Sequence, residues 1–203
     1  MSKARARGFT VIELMVTLAV AAIVISMAVP SFQSVVNGNK LAAGANELMA
    51  SLQAARMEAI RRGQRAGVCF STKTNSGVDA TCSNANVDGW IAFVDANGDG
   101  DFDKAGDTLI RVSTLGAGVV VSANPALGGL VPGKPIIFRP DGLARDEPGG
   151  GGPGTGLLDA VVRLCIATTR PAANARDVGI ASGSRVAITN FDGGGACAAP
   201  GNP

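Results

Sequence analysis

Gly8-Phe9-Thr10-Val11-Ile12-Glu13 opens an apolar run that ends at Val29, with Lys3, Arg5 and Arg7 just before it. Phe9 to Val29 is 21 residues, and Glu13 is the one charge among them. As a helix at ~1.5 Å per residue the run is about 31 Å long, enough to cross a hydrocarbon core of about 30 Å. Basic residues ahead of a span stay on the cytoplasmic side, so the C-terminal bulk is expected outside.

Glu13 does not belong in an ordinary span. A carboxylate there is costly unless it finds a partner, and so it reads by default as functional. A snorkelling or protonated residue one turn from the membrane edge is the plain explanation. The sharper one is that Glu13 awaits a cation from elsewhere, such as the free amino terminus of another copy.

The short basic leader, Gly8 and then Phe9-Thr10-Val11-Ile12-Glu13-Leu14 resemble the class III leader of type IV pilins and type II secretion pseudopilins. The resemblance implies that a prepilin peptidase cuts between Gly8 and Phe9 and that the new amino group of Phe9 is methylated. It implies that Glu13 pairs with the amino terminus of a neighbouring subunit during assembly. Pro30 fits the same pattern, at the end of the first apolar stretch. The expected partners are other pilin or pseudopilin subunits. The expected place is the bacterial inner membrane, single-pass with a periplasmic C-terminal domain, and then a filament. A secretory signal peptide competes with this reading, with Ser26-Met27-Ala28 as a small-x-small cleavage site. The run is long for that purpose, and Glu13 interrupts it.

The expected organisation is a leader over 1–8, a transmembrane helix over 9–29, its amphipathic continuation over 30–63 and a β-rich domain over 64–203. The fold class is α+β, pilin-like, with a long N-terminal helix on antiparallel sheet. Leu41, Ala45, Leu48, Leu52, Ala55 and Ala59 recur at alternating spacings of four and three, one apolar stripe that Met49 and Ile60 widen. Lys40, Glu47, Gln53 and Arg61 fall off it. Gly38 and Gly44 weaken the helix locally, and Arg61-Arg62-Gly63 ends it. Short strands follow at 68–70, 89–94, 108–113, 119–121, 136–138 and 160–167, and 177–181 with 185–189 reads as a closing hairpin. Glu147 to Gly156 is nearly all Gly and Pro and is expected as a mobile loop tip.

The 28 glycines and 4% aromatic content favour short strands and turns over a helical bundle. Formal charge is +2. Removing Lys3, Arg5 and Arg7 leaves 15 basic against 16 acidic side chains, so the remainder sums to −1. Bulk electrostatics therefore makes no case for nucleic acid. Cys69, Cys82, Cys165 and Cys197 in an exported chain suggest two disulfides. Three connectivities are open, and sequence neighbourhood favours Cys69–Cys82 with Cys165–Cys197. Without a His or a CxxC pair, a zinc site is not expected.

The segment from Leu52 to Cys69, Gly89-Trp90-Ile91-Ala92-Phe93-Val94-Asp95 and Phe138-Arg139-Pro140-Asp141-Gly142 resemble the FimT/GspH branch of minor pilins and pseudopilins. That resemblance implies a long helix packed on two β-sheets, and the late cysteine leans toward the FimT side. Some subunits of that branch bind DNA for uptake through a Gly-Arg-x-Arg motif. The matching place is Ser184-Arg185-Val186-Ala187, where only Arg185 survives. One arginine supplies few phosphate contacts, though Arg163, Arg170 and Arg176 could join it if the last strands are adjacent. Asp95, Asn97, Asp99 and Asp103, with Gly100 between them, read like the start of a calcium loop. Gly106 stands where the bidentate Glu belongs, and an acidic hairpin turn is the alternative. An exported calcium-binding domain behind an ordinary signal peptide is thus a further possible function. No cofactor other than calcium suggests itself. With no His and no Tyr, the usual Ser-His-Asp and Cys-His arrangements are absent, and no catalytic residue is expected.

Overall fold

The structure, a computed structural model, describes residues 9–83, 87–127, 134–146 and 156–202. The leader, including Gly8, and all but the last residue of the loop at 147–156 lie outside the described residues. Helix α1 runs from Val11 to Arg62, and its helical backbone passes through position 30 without a break. At the far end Arg61 and Arg62 both pair with Glu58, at 2.7 and 2.8 Å. The two guanidiniums hold the Glu58 carboxyl below its usual range. Gly63 then turns left-handed at φ 64° and closes the helix.

The apolar stripe packs as its spacing implies: Leu41, Ala45, Leu48, Leu52, Ala55 and Ala59 are fully buried. Its width differs from the sequence reading. Ile60 stays 48% exposed and only its tip reaches toward Gly142, whereas Ser51 is fully buried. Gly44 is a point of close approach. A Cβ there would lie 2.8 Å from Leu164 Cδ2, so the glycine lets α1 press onto the sheet beneath it.

Among the described residues nine strands follow: β1 (Arg65–Thr72), β2 (Thr81–Cys82), β3 (Gly89–Asp95), β4 (Thr108–Thr114), β5 (Val120–Ala123), β6 (Ile136–Phe138), β7 (Ala160–Cys165), β8 (Ala175–Ala181) and β9 (Arg185–Phe191). β2 is a two-residue strand between those expected at 68–70 and 89–94. The first sheet runs β2-β1-β3-β4, with β6 pairing the other half of β1, and the second runs β5-β7-β8-β9. Every pairing is antiparallel. β3 is buried along its whole length. Trp90, Ala92 and Val94 face the main core with α1, while Ile91 and Phe93 join Cys69, Ala80 and Ile137 in a second cluster on the outer face. Burial on both faces explains the unbroken apolar run at 89–94, where a half-exposed strand would alternate.

Both cross-links join neighbours in sequence: Cys69–Cys82 and Cys165–Cys197. The second ties down a tail, 192–202, that returns across the outer face of the second sheet. Asn174 accepts from Gly193 N and donates to Ala196 O, Arg163 Nη1 donates to Ala198 O, and Asn124 Nδ2 donates to Asn202 Oδ1. Few bonds hold a segment rich in Gly and Ala, so the covalent link supplies much of its order. Closing a loop of that length is worth about 3–4 kcal/mol in the chain-entropy account. Cys165→Ser/Cys197→Ser should therefore lose about that much stability and open the tail's alanines to elastase, read by intact mass after brief digestion.

Candidate assembly interface

Thr10 caps α1. Its hydroxyl accepts from Glu13 N at 3.3 Å, and Glu13 Oε2 accepts from Thr10 N at 3.2 Å and from Thr10 Oγ1 at 3.1 Å. This reciprocal box satisfies two donors that a helix start leaves open and puts a carboxylate at the positive end of the dipole. The Thr-x-x-Glu spacing announces it in the sequence, so Glu13 is a capping residue as well as a charge in the span. Both bonds fall on Oε2. A carboxylate has about four lone-pair sites, so acceptor capacity remains for an incoming ammonium. Thr10 and Glu13 both lie after the expected cut, so the box survives it.

Among the described residues none covers this end. The apolar window of α1 is 0% buried, and Phe9 is 84% and Phe32 71% exposed. Hydrogen bonds to the domain begin at Asn37, whose Nδ2 donates to Arg170 O, and at Lys40, whose Nζ donates to Ala117 O. Helix α1 therefore has two halves. One is gripped by the sheets, and the other is a bare apolar rod ending in a capped acid.

A polar knot inside the domain holds the gripped half. Trp90 Nε1 donates to Ser51 Oγ at 3.0 Å, and Ser51 Oγ donates to Glu47 O at 2.9 Å. Ser113 Oγ donates to Glu47 Oε1 at 2.8 Å, and Arg111 pairs with the same oxygen at 2.6 Å. Glu47 leaves the stripe in sequence because it bonds to β4. Ser51→Ala strands the indole N–H in an apolar core and should cost about 1–3 kcal/mol, with a red shift in Trp90 emission as the optical sign.

The acidic side chains of the 95–107 loop bond largely within the loop. Asp95 Oδ1 accepts from Gly98 N and Oδ2 from Gly100 N, with Arg65 Nε 3.2 Å away. Burial pushes its carboxyl up, against the pull of those amides and of Arg65. Asn97 bonds to Asp99 and Asp103, and Asp107 accepts from Ala96 N and Asp103 N. Phe102 packs on Phe93 with ring centroids 5.5 Å apart and seats the loop on the outer cluster. Among the described residues no three His, Cys, Asp or Glu side chains gather as metal ligands.

The arginines do not assemble around Arg185. β7, β8 and β9 are adjacent, but Arg163 is buried against Asp177, Phe191 and Ala198 O. Arg176 pairs across to Asn190, five residues down β9 from Arg185, which is about 17 Å of strand. Arg170 sits in the β7–β8 connection, at the end near Asn37, whereas Arg185 follows the 182–184 turn held by Arg56. The basic cluster allowed by the sequence is thus dispersed by register and direction.

A family model described as type II transport protein GspH matches residues 44–184. The prokaryotic N-terminal methylation motif matches residues 3–29. Among solved structures, the type IV minor pilin FimU of Pseudomonas aeruginosa is similar at 15% identity and a TM-score of 0.45, over 74% of this chain and 89% of that one. No curated protein sequence matches.

Proposed function

The chain belongs to the GspH family of type II transport proteins and is a minor pilin or pseudopilin subunit; on that premise we propose that it polymerises through the bare half of α1. The observation that carries this is the apolar rod left uncovered by its own domain, with the capped Glu13 at its tip. Prepilin peptidase cuts between Gly8 and Phe9 and methylates Phe9, as the motif over 3–29 supports. The rod waits in the inner membrane with the β-domain on the periplasmic side. On assembly, Glu13 of one subunit accepts the ammonium of Phe9 from its neighbour, which sets the axial register and neutralises an acid that hydrocarbon solvates poorly. The family's description favours a secretion pseudopilus over a pilus.

The test is the mass of the mature subunit recovered from filaments. A chain beginning at N-methylated Phe9, co-purifying with other subunits, is expected. A chain beginning at Val29 would show that Glu13 and its rod are discarded.

A further inference from the structure

We propose that the membrane-proximal rim of the β-domain rests on anionic phospholipid headgroups. This builds on the membrane-anchored reading above. Among the described residues the first hydrogen bond between helix and domain is at Asn37, and 28 residues, from Phe9 to Val36, precede it in the mature chain. At ~1.5 Å per residue they measure about 42 Å. A bilayer with its headgroups is about 40–45 Å thick. A tilt of about 20° shortens the rod to about 39 Å and draws the rim closer. The bare length therefore matches the whole bilayer, headgroups included, and leaves no aqueous gap beneath the domain.

The rim carries the matching charge. It is built from the β4–β5 connection, held by Lys40 at Ala117, and the β7–β8 connection, held by Asn37 at Arg170. The end of β1 joins them, because Thr74 bonds to Asp88 and Leu115 N donates to Asp88 O. Lys73 and Arg170 are exposed there and Lys40 half-buried. The acids at this end are engaged locally: Asp88 accepts from Thr74 N and Oγ1, and Asp192 accepts from Gly194 N. Small residues, Gly116, Ala117 and Gly118 among them, let the backbone come down close to the headgroups.

The experiment is amide hydrogen exchange on the full chain in nanodiscs of phosphatidylcholine alone or mixed with phosphatidylglycerol. Amides in 115–119 and 168–170 should exchange about fivefold more slowly on the anionic bilayer, the factor that one cation near such a surface is worth. The difference should shrink in high salt and vanish in Lys73→Glu/Arg170→Glu. Equal rates on the two bilayers, with 11–29 protected in both, would overturn the rim contact and leave the anchor standing. A difference that survives in the double variant would overturn it too, since the cations would then have no part. Unprotected amides over 11–29 would instead bring down the anchored reading, and the rim contact with it.

Discussion

Glu13→Ala should abolish incorporation into filaments while leaving the chain in the membrane. Removing an acid from a span favours insertion, so membrane level holds or rises. Assembly then brings an ammonium into a poorly hydrated bundle with no carboxylate to meet it. Breaking one side of a buried ion pair costs about 3–5 kcal/mol, or roughly two to nearly four orders of magnitude in the assembly equilibrium. The structure adds a control, because Glu13 also closes the capping box with Thr10. Losing a cap costs only about 1 kcal/mol. Glu13→Gln keeps a box-competent side chain and removes the charge, whereas Thr10→Ala removes the cap and keeps the charge. Filament incorporation, measured by immunoblot of sheared filaments against membranes, should fail in Glu13→Gln and persist in Thr10→Ala. The opposite order would make Glu13 a helix cap and remove its role between subunits.

The second large effect is expected at Arg163. Its guanidinium forms a fork on Asp177, with Nε to Oδ1 and Nη2 to Oδ2 both at 2.7 Å. Phe191 lies 3.5 Å from its centre and the tail's Ala198 O takes a third bond. The arginine side chain is 6% exposed. Arg163→Ala leaves the Asp177 carboxylate under the tail without its partner, and should cost about 3–5 kcal/mol in thermal or urea unfolding. Arg163→Lys keeps the charge but not the fork, and should recover only part of this. Replacing the pair together, as Arg163→Met/Asp177→Leu, should come close to the parent, because well-packed apolar groups often match a buried ion pair. A small effect of Arg163→Ala would mean that water reaches Asp177 beneath the tail.

Much of the architecture could be read along the chain because its causes are local. The stripe from Leu41 to Ala59 is a property of one helix face, and the structure buries all six of its members. Gly63 stops α1 because a left-handed residue is needed there. The run at 89–94 marks a strand whatever lies on either side of it. Periodicity places Ile60 on the stripe and passes over Ser51 because it ranks residues by apolarity. It does not register that an indole N–H across the core needs an acceptor. The arginines of the last strands looked poolable for the same reason: their types were visible, but register and strand direction were not.

What the sequence determined by itself is the rod, its acid, the match to the N-terminal methylation motif and the alternation of short strands with turns. Each is carried by residues within a few positions of one another, where helix period, charge and turn chemistry act directly. Only the tertiary structure decided which polar groups are held inside: Ser51 on Trp90, Arg163 on Asp177, and Asp95 on its own loop. It also decided where on α1 hydrogen bonds to the domain begin, at Asn37. The physical reason is that a buried donor takes whatever acceptor the packed chain brings within about 3 Å, and that acceptor can come from anywhere along the sequence.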